Sequence, residues 1–380
     1  MTPLPRTRLP LLLVLLVICD TVSAGKRRQK STADSDSPTS SPWPLHDVQA
    51  FAASTLVALA AIIICGLWVS LKTTLRTSRA SVRIFEVPLW PDGSTHPCMR
   101  IHLPDRTSTK THRRLPVLIV FRGGGWLSCA SSGGEAAEWA ARENGWVGIE
   151  VEYAAKQGAQ PLKGPWKPEG SVLGPLPEGK SPFPQCLYDA ARAVRLVRHM
   201  AHTGKLDADP SRLCVCGFSA GGWLAAMLAT RWADPIVRTA ADDLAEFESC
   251  EPDRCCLCYA VLSLQEADDP PKLTAATDLL LGNDKKADQA LREELTPKYH
   301  VTSRTTPLFI WHTIEDTTVP YTHSLSMFEA AKAAKRDAEL LLYSAEGSAG
   351  RHAQGLGLDN PKISGWSKQF LAWLGPDWVV

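Results

Sequence analysis

Leu213-Cys214-Val215-Cys216-Gly217-Phe218-Ser219-Ala220-Gly221-Gly222 opens as a short apolar run and leads into Trp223 to Trp232, a stretch with helical composition. Four apolar residues closed by a glycine read as a buried strand. Gly217-Phe218-Ser219-Ala220-Gly221 fits G-x-S-x-G, and its place between strand and helix carries more weight than the pattern. A sharp strand-to-helix turn lifts a serine hydroxyl above the sheet, and glycines flank it because neighbouring backbone packs too close for a Cβ. Ser219 is therefore the candidate nucleophile.

Outward from this turn, the chain alternates strand-like and helix-like stretches. Pro116 to Phe121 is a continuous apolar run entering Gly123-Gly124-Gly125, as a central strand would enter a tight loop. Trp146 to Val151 is a second strand, and Leu187, Ala191, Val194, Leu196 and Val197 recur at helical spacing up to His199. Cys258 to Leu262, Pro307 to Trp311 and Ala338 to Tyr343 read as further strands, with helices through Ser326 to Lys335 and Trp366 to Leu374. This order predicts an α/β domain over 82–380, with helices on both faces of a mostly parallel sheet. Residues 154–182, rich in Gly, Pro and Lys, read as a surface excursion, and with 265–300 they are expected to shape a pocket.

A serine hydroxyl needs a base, and on a turn of this kind the partners follow in chain order, acid and then histidine. Asp316 lies just after the Pro307 to Trp311 strand, where a loop would aim a carboxylate at an imidazole, and Glu315 is its rival. His352 ends the small-residue loop Glu346-Gly347-Ser348-Ala349-Gly350-Arg351. His312 is the weaker alternative because it precedes the acid. His199 and His202 lie on or just after a helix ahead of Ser219, and His300 and His323, like His312, read as surface or packing residues. Amides of Gly123, Gly124 and Gly125, with that of Ala220, would supply oxyanion donors worth roughly 3 kcal/mol each.

Of 380 residues, 44% are hydrophobic and 21% charged, which suits a folded domain with a sizeable core. Forty-one basic against 40 acidic residues leave a formal charge of +1, so no nucleic-acid partner is expected. Among the eleven cysteines, Cys250, Cys255, Cys256 and Cys258 crowd into nine residues with no histidine nearby. That spacing does not suit zinc, so they read as small buried hydrophobes with room for one disulfide. No metal and no cofactor are expected.

The first eighty residues have a different character. Arg6 and Arg8 precede the apolar run Leu9 to Ile18, and Val22-Ser23-Ala24 follows, which makes 1–24 a signal-like segment. Residues 25–50 form a polar linker. Phe51 to Leu71 runs 21 residues without a charge and predicts a transmembrane helix. A single-pass protein of the endomembrane system, with the lipid bilayer as partner of 51–71, is the expectation. Basic residues stand on both sides, Lys26, Arg27, Arg28 and Lys30 before and Lys72, Arg76, Arg79 and Arg83 after, so both orientations stay open.

Taken together, Arg122-Gly123-Gly124-Gly125-Trp126, Gly217 to Gly222, the Asp316 segment after Trp311-His312-Thr313, His352 before Gly355-Leu356-Gly357, and Asp189 are in register with a known pattern. Residues 85–375 resemble the α/β-hydrolase esterases related to bacterial acetyl-xylan and feruloyl esterases. The resemblance implies an α/β-hydrolase fold and metal-free hydrolysis of a small-molecule or carbohydrate-linked acyl ester by Ser219, His352 and Asp316. It departs at Arg122, where many relatives carry histidine, and around His352, where Arg-His-Ala-Gln-Gly replaces a tighter Gly-His-Gly. A serine peptidase or amidase of the same fold, and a non-catalytic membrane-anchored binding protein, are the other readings.

Overall fold

Leu115–Phe121 and Val147–Val151 are buried along their whole length, as are the last six residues of Ala208–Phe218. Continuous apolar runs of this kind suit strands covered on both faces. The computed structural model describes residues 81–380 apart from 93–96, 106–112, 131–132, 161–172, 240, 242, 266–268, 346 and 348–350. In chain order the strands are β1 (Val82–Pro88), β2 (Cys98–Pro104), β3 (Leu115–Phe121), β4 (Val147–Val151), β5 (Ala208–Phe218), β6 (Arg254–Cys258), β7 (Leu308–Thr313) and β8 (Ala338–Tyr343). They form one sheet in the order β1-β2-β4-β3-β5-β6-β7-β8. From β4 to β8 the pairings are parallel, and β1 and β2 join antiparallel at one edge.

The helices are α1 (Glu135–Asn144), α2 (Gln185–His202), α3 (Ala220–Arg231), α4 (Pro271–Leu281), α5 (Gln289–Glu294), α6 (Thr322–Ala333) and α7 (Trp366–Leu374). Because successive strand residues point to opposite faces, the sheet feeds two cores. Ile119, Val215, Leu257 and Ile310 pack with Leu187 and Val194 of α2, Trp223 and Leu224 of α3 and Met327 of α6. Val120, Cys216, Cys256 and Phe309 face the other way, against Ala137 and Ala140 of α1 and Trp366 and Phe370 of α7. This is the mostly parallel sheet with helices on both faces expected from the alternation of elements, and it agrees with the α/β-hydrolase fold that the resemblance implies, with the loops that carry the site leaving the carboxyl ends of the parallel strands.

Several sequence expectations are revised. The strand expected to open at Cys258 ends there instead, and Tyr259 takes a left-handed φ of 39°. The reason lies in its neighbours: Tyr259 N donates to Trp311 O, and Val261 N to Ser219 O, so the apolar run bends over the serine turn. The excursion 154–182 starts inside, with Tyr153, Ala154 and Ala155 buried. Its amides at Lys156 and Gln157 donate to the carbonyls of Trp126 and Leu127, which makes it a brace for the glycine loop. The nine described cysteines are all free thiols, so no disulfide forms among them. Cys216, Cys256 and Cys258 bring their sulfurs within 4.8 Å of one another, buried against Phe218 and Trp311 on the α7 face.

The signal-like segment 1–24, the linker 25–50 and the apolar span 51–71 lie outside the described residues. Among the described residues, no helix is long and apolar enough to cross a membrane.

Candidate active site

The turn after β5 places Ser219 at φ 54°, ψ −118°, a conformation that non-glycine residues rarely adopt. Two glycines make this turn possible. A Cβ on Gly217 would sit 2.3 Å from Gly221 O, and one on Gly221 would sit 2.2 Å from Phe121 O. Ser219 N donates to Cys258 O at 3.0 Å, which ties the turn to the end of β6. The serine's position is thus set by backbone on three adjacent strands.

His352 reaches this serine from the loop beyond β8. Its Nε2 lies 2.7 Å from Ser219 Oγ, and its Nδ1 lies 2.6 Å from Asp316 Oδ2. Asp316 follows β7, and its Oδ1 accepts the amides of Thr318 at 2.8 Å and Val319 at 3.0 Å. Burial alone would raise the Asp316 pKa, but hydrogen bonds from His312 and His352 hold it well below the usual carboxylate range. The acid therefore stays ionised beside an imidazole that can gain a proton.

The rival residues are placed elsewhere. Glu315 turns outward and accepts from the Ser344 hydroxyl and the Ala345 amide. His312 is buried and approaches Asp316 rather than Ser219, with its Nε2 3.3 Å from Oδ2 and 3.0 Å from Val319 O. Donating a proton to that carbonyl makes Nε2 the protonated nitrogen, and Nδ1 then accepts from the Ser324 hydroxyl at 2.7 Å. Burial lowers the His312 pKa, which suits a neutral ring. His323 pairs with Asp269, His199 and His202 with Glu248, and His300 with the Glu294 carbonyl.

Tyr259 belongs to the site although the sequence reads it as part of a strand. Its ring stands edge-on to His352 with centroids 4.9 Å apart, and its hydroxyl accepts the Gly355 amide at 2.9 Å. The tyrosine fixes both the imidazole and the chain just beyond it. A buried aromatic directly after a strand was the available signal, but nothing in the sequence pairs it with a histidine 93 positions away.

The glycine loop is held from beneath. Gly124 has φ 128°, and a Cβ there would fall 1.8 Å from Ser128 O, so only glycine lets the loop fold back on itself. Arg122, fully buried, donates from Nη1 to Ala130 O at 3.0 Å and Gln160 O at 3.1 Å. Its Nε lies 2.9 Å from Glu150 Oε1 as an ion pair, and Arg100 also pairs with Glu150 at 3.2 Å. Tyr153 Oη donates to Arg122 O at 2.6 Å. The guanidinium thus holds the loop from beneath through Ala130, Gln160 and Glu150.

Ser219, His352, Gly123, Gly124 and Gly125 open onto one cavity of about 450 Å³. A wider hollow of about 870 Å³, lined by Trp90, Tyr188 and Asp189 among others, shares no residue with it.

Known proteins resemble this chain in sequence and fold. The BD-FAE family model matches residues 177–331. Endo-1,4-β-xylanase B of Butyrivibrio fibrisolvens is 27% identical over 218 residues, 57% of this chain, and the chain spans only 30% of that relative's length. The acetyl ester-xyloside bifunctional hydrolase of Caldicellulosiruptor lactoaceticus superposes with a TM-score of 0.59 at 30% identity, over 80% of this chain and 98% of that one. The carboxylesterase Cest-2923 of Lactobacillus plantarum shares the fold at 21% identity and TM-score 0.58, over 77% of this chain and 96% of its own. With nearly the whole of a 30%-identical esterase structure covered, the chain belongs to the α/β-hydrolase esterases.

Proposed function

We propose that the protein is a serine carboxylic-ester hydrolase acting on a short-acyl ester, small-molecule or carbohydrate-linked. Ser219 attacks the acyl carbon while His352 Nε2 takes the hydroxyl proton and then returns it to the leaving alcohol. Asp316 orients the imidazole and stabilises the imidazolium that forms. Amides of Gly123, Gly124 and Gly125, together with that of Ala220, receive the oxyanion. Water then cleaves the acyl-enzyme through the same groups. The observation that carries this reading is the unbroken relay from Ser219 Oγ to His352 at 2.7 Å and from His352 to Asp316 at 2.6 Å. Both lengths fall within hydrogen-bond reach for a nucleophile and its base.

The test is p-nitrophenyl acetate hydrolysis by the full-length protein and by Ser219→Ala. The variant is expected to lose at least about 10³-fold in kcat/KM. A fluorophosphonate probe is expected to label the parent protein at Ser219 only. Equal rates for the two proteins would discard the mechanism, and a matched amide cleaved faster than the ester would move the assignment to an amidase. We further propose that residues 51–71 hold the protein in a membrane of the endomembrane system, a reading supported by their length and lack of charge.

A further inference from the structure

The cavity at Ser219 has an uneven wall. Beside the catalytic groups, its side-chain lining is almost entirely aliphatic and aromatic, with Thr318 and Lys272 as the polar exceptions. One side is made by α4, which reaches across to the glycine loop: a Cβ on Gly125 would lie 3.6 Å from Ala276 Cβ. Leu273, Ala276 and Leu279 of this helix face the cavity together with Val261, and Leu127 stands 43% exposed beside them.

Two of the three substituents on the reacting carbon have assigned directions. The carbonyl oxygen points at the amides of the glycine loop, and the leaving oxygen must face His352 to collect its proton. The sheet order separates these sides, because the glycine loop leaves β3, the serine leaves β5, and the acid and base leave β7 and β8. The acyl chain is left with the apolar wall formed by Val261 and α4.

We infer that this wall is an acyl-chain pocket and that the preferred substrates carry an aliphatic acyl group of butyryl length or longer, in place of the acetyl groups of a sugar polymer. The inference rests on the serine-esterase reading and assigns its acyl group, extending it beyond the short acyl chains named above. Each methylene buried against such a wall is expected to contribute about fourfold to kcat/KM. An acetyl group has no methylene to bury there and gains none of this contribution.

The experiment compares p-nitrophenyl acetate, butyrate and octanoate with acetylated xylo-oligosaccharide, using the full-length protein. Butyrate adds two methylenes to acetate, so its kcat/KM is expected to be about fifteenfold higher. Leu279→Trp, and separately Leu279→Phe as a smaller filling, are expected to remove at least tenfold from octanoate while acetate stays within about threefold. Acetate matching or exceeding butyrate and octanoate, or a preference for the acetylated oligosaccharide, would overturn the pocket assignment. Fluorophosphonate labelling of Ser219 separates the two failures: a labelled enzyme with no chain preference loses only the pocket. An unlabelled one loses the serine mechanism with it.

Discussion

Asp316 accepts from more partners than a base-orienting carboxylate strictly requires. Its Oδ2 faces His352 and, less closely, His312, while two amides bond its Oδ1. His312 is itself held by Ser324 and by Val319 O, so it fixes the direction in which the carboxylate looks. It makes no contact with Ser219 and is a positioning residue in this scheme. His312→Gln keeps one donor but not the ring geometry, and is expected to lower kcat about ten- to hundredfold, the value of one hydrogen bond to a charged group. KM should change by less than about threefold. Steady-state kinetics on p-nitrophenyl acetate decide the matter, and an unchanged kcat would make His312 a packing residue only. Chain order distinguished His352 from His312 as the candidate base, because the base follows the acid. It could not reveal that both rings meet one carboxylate, since that contact depends on how the loop between Thr313 and Val319 folds.

At the level of elements, β2, which lies between β1 and β4, was the least legible part of the sheet. Met99, Ile101 and Leu103 alternate with Arg100 and His102, a period of two that signals a half-exposed strand. The polar positions are buried all the same: Arg100 enters the ion cluster with Glu86, Glu150 and Glu152, and His102 is 3% exposed. Neither ring nitrogen of His102 has a hydrogen-bond partner among the described residues. Burial pushes its pKa down to about 4. Lowering a histidine's folded pKa favours the neutral ring, so protonation favours unfolding. The native state is undisturbed above the unfolded value near 6.5 and weakens as pH falls towards the folded one. From these values the loss between pH 7.5 and pH 5 is about 2 kcal/mol. His102→Leu is expected to remove that part of the acid slope, seen as a smaller drop in urea midpoint over the same interval. A parent and variant with parallel slopes would show that the ring charges without opening the fold. The central strands posed no such difficulty, because runs such as Val117 to Phe121 are apolar on both faces and read directly as buried.

Across the whole chain, the order of motifs was legible because each one sits at a strand end, where local chemistry reports position. The partnership of α4 with the glycine loop was not, since residues 276 and 125 are joined only by the packing of a helix over a distant turn. The first eighty residues pose the opposite case, where composition alone supports the reading. Phe51 to Leu71 is long enough to span hydrocarbon at 1.5 Å per residue, and a buried helix with no polar face and no charge is difficult to accommodate in water. The full-length protein is therefore expected to remain in the membrane pellet through alkaline carbonate extraction. Deleting 51–71 should move it to the supernatant while ester hydrolysis persists, because the candidate site draws only on residues beyond Ser78. Release of the full-length protein by carbonate would end the membrane proposal without touching the chemistry. Retention would let protease protection on sealed vesicles assign the side: cleavage beyond Ser78 in intact vesicles places the ester-hydrolysing unit outside them, and protection until detergent is added places it within.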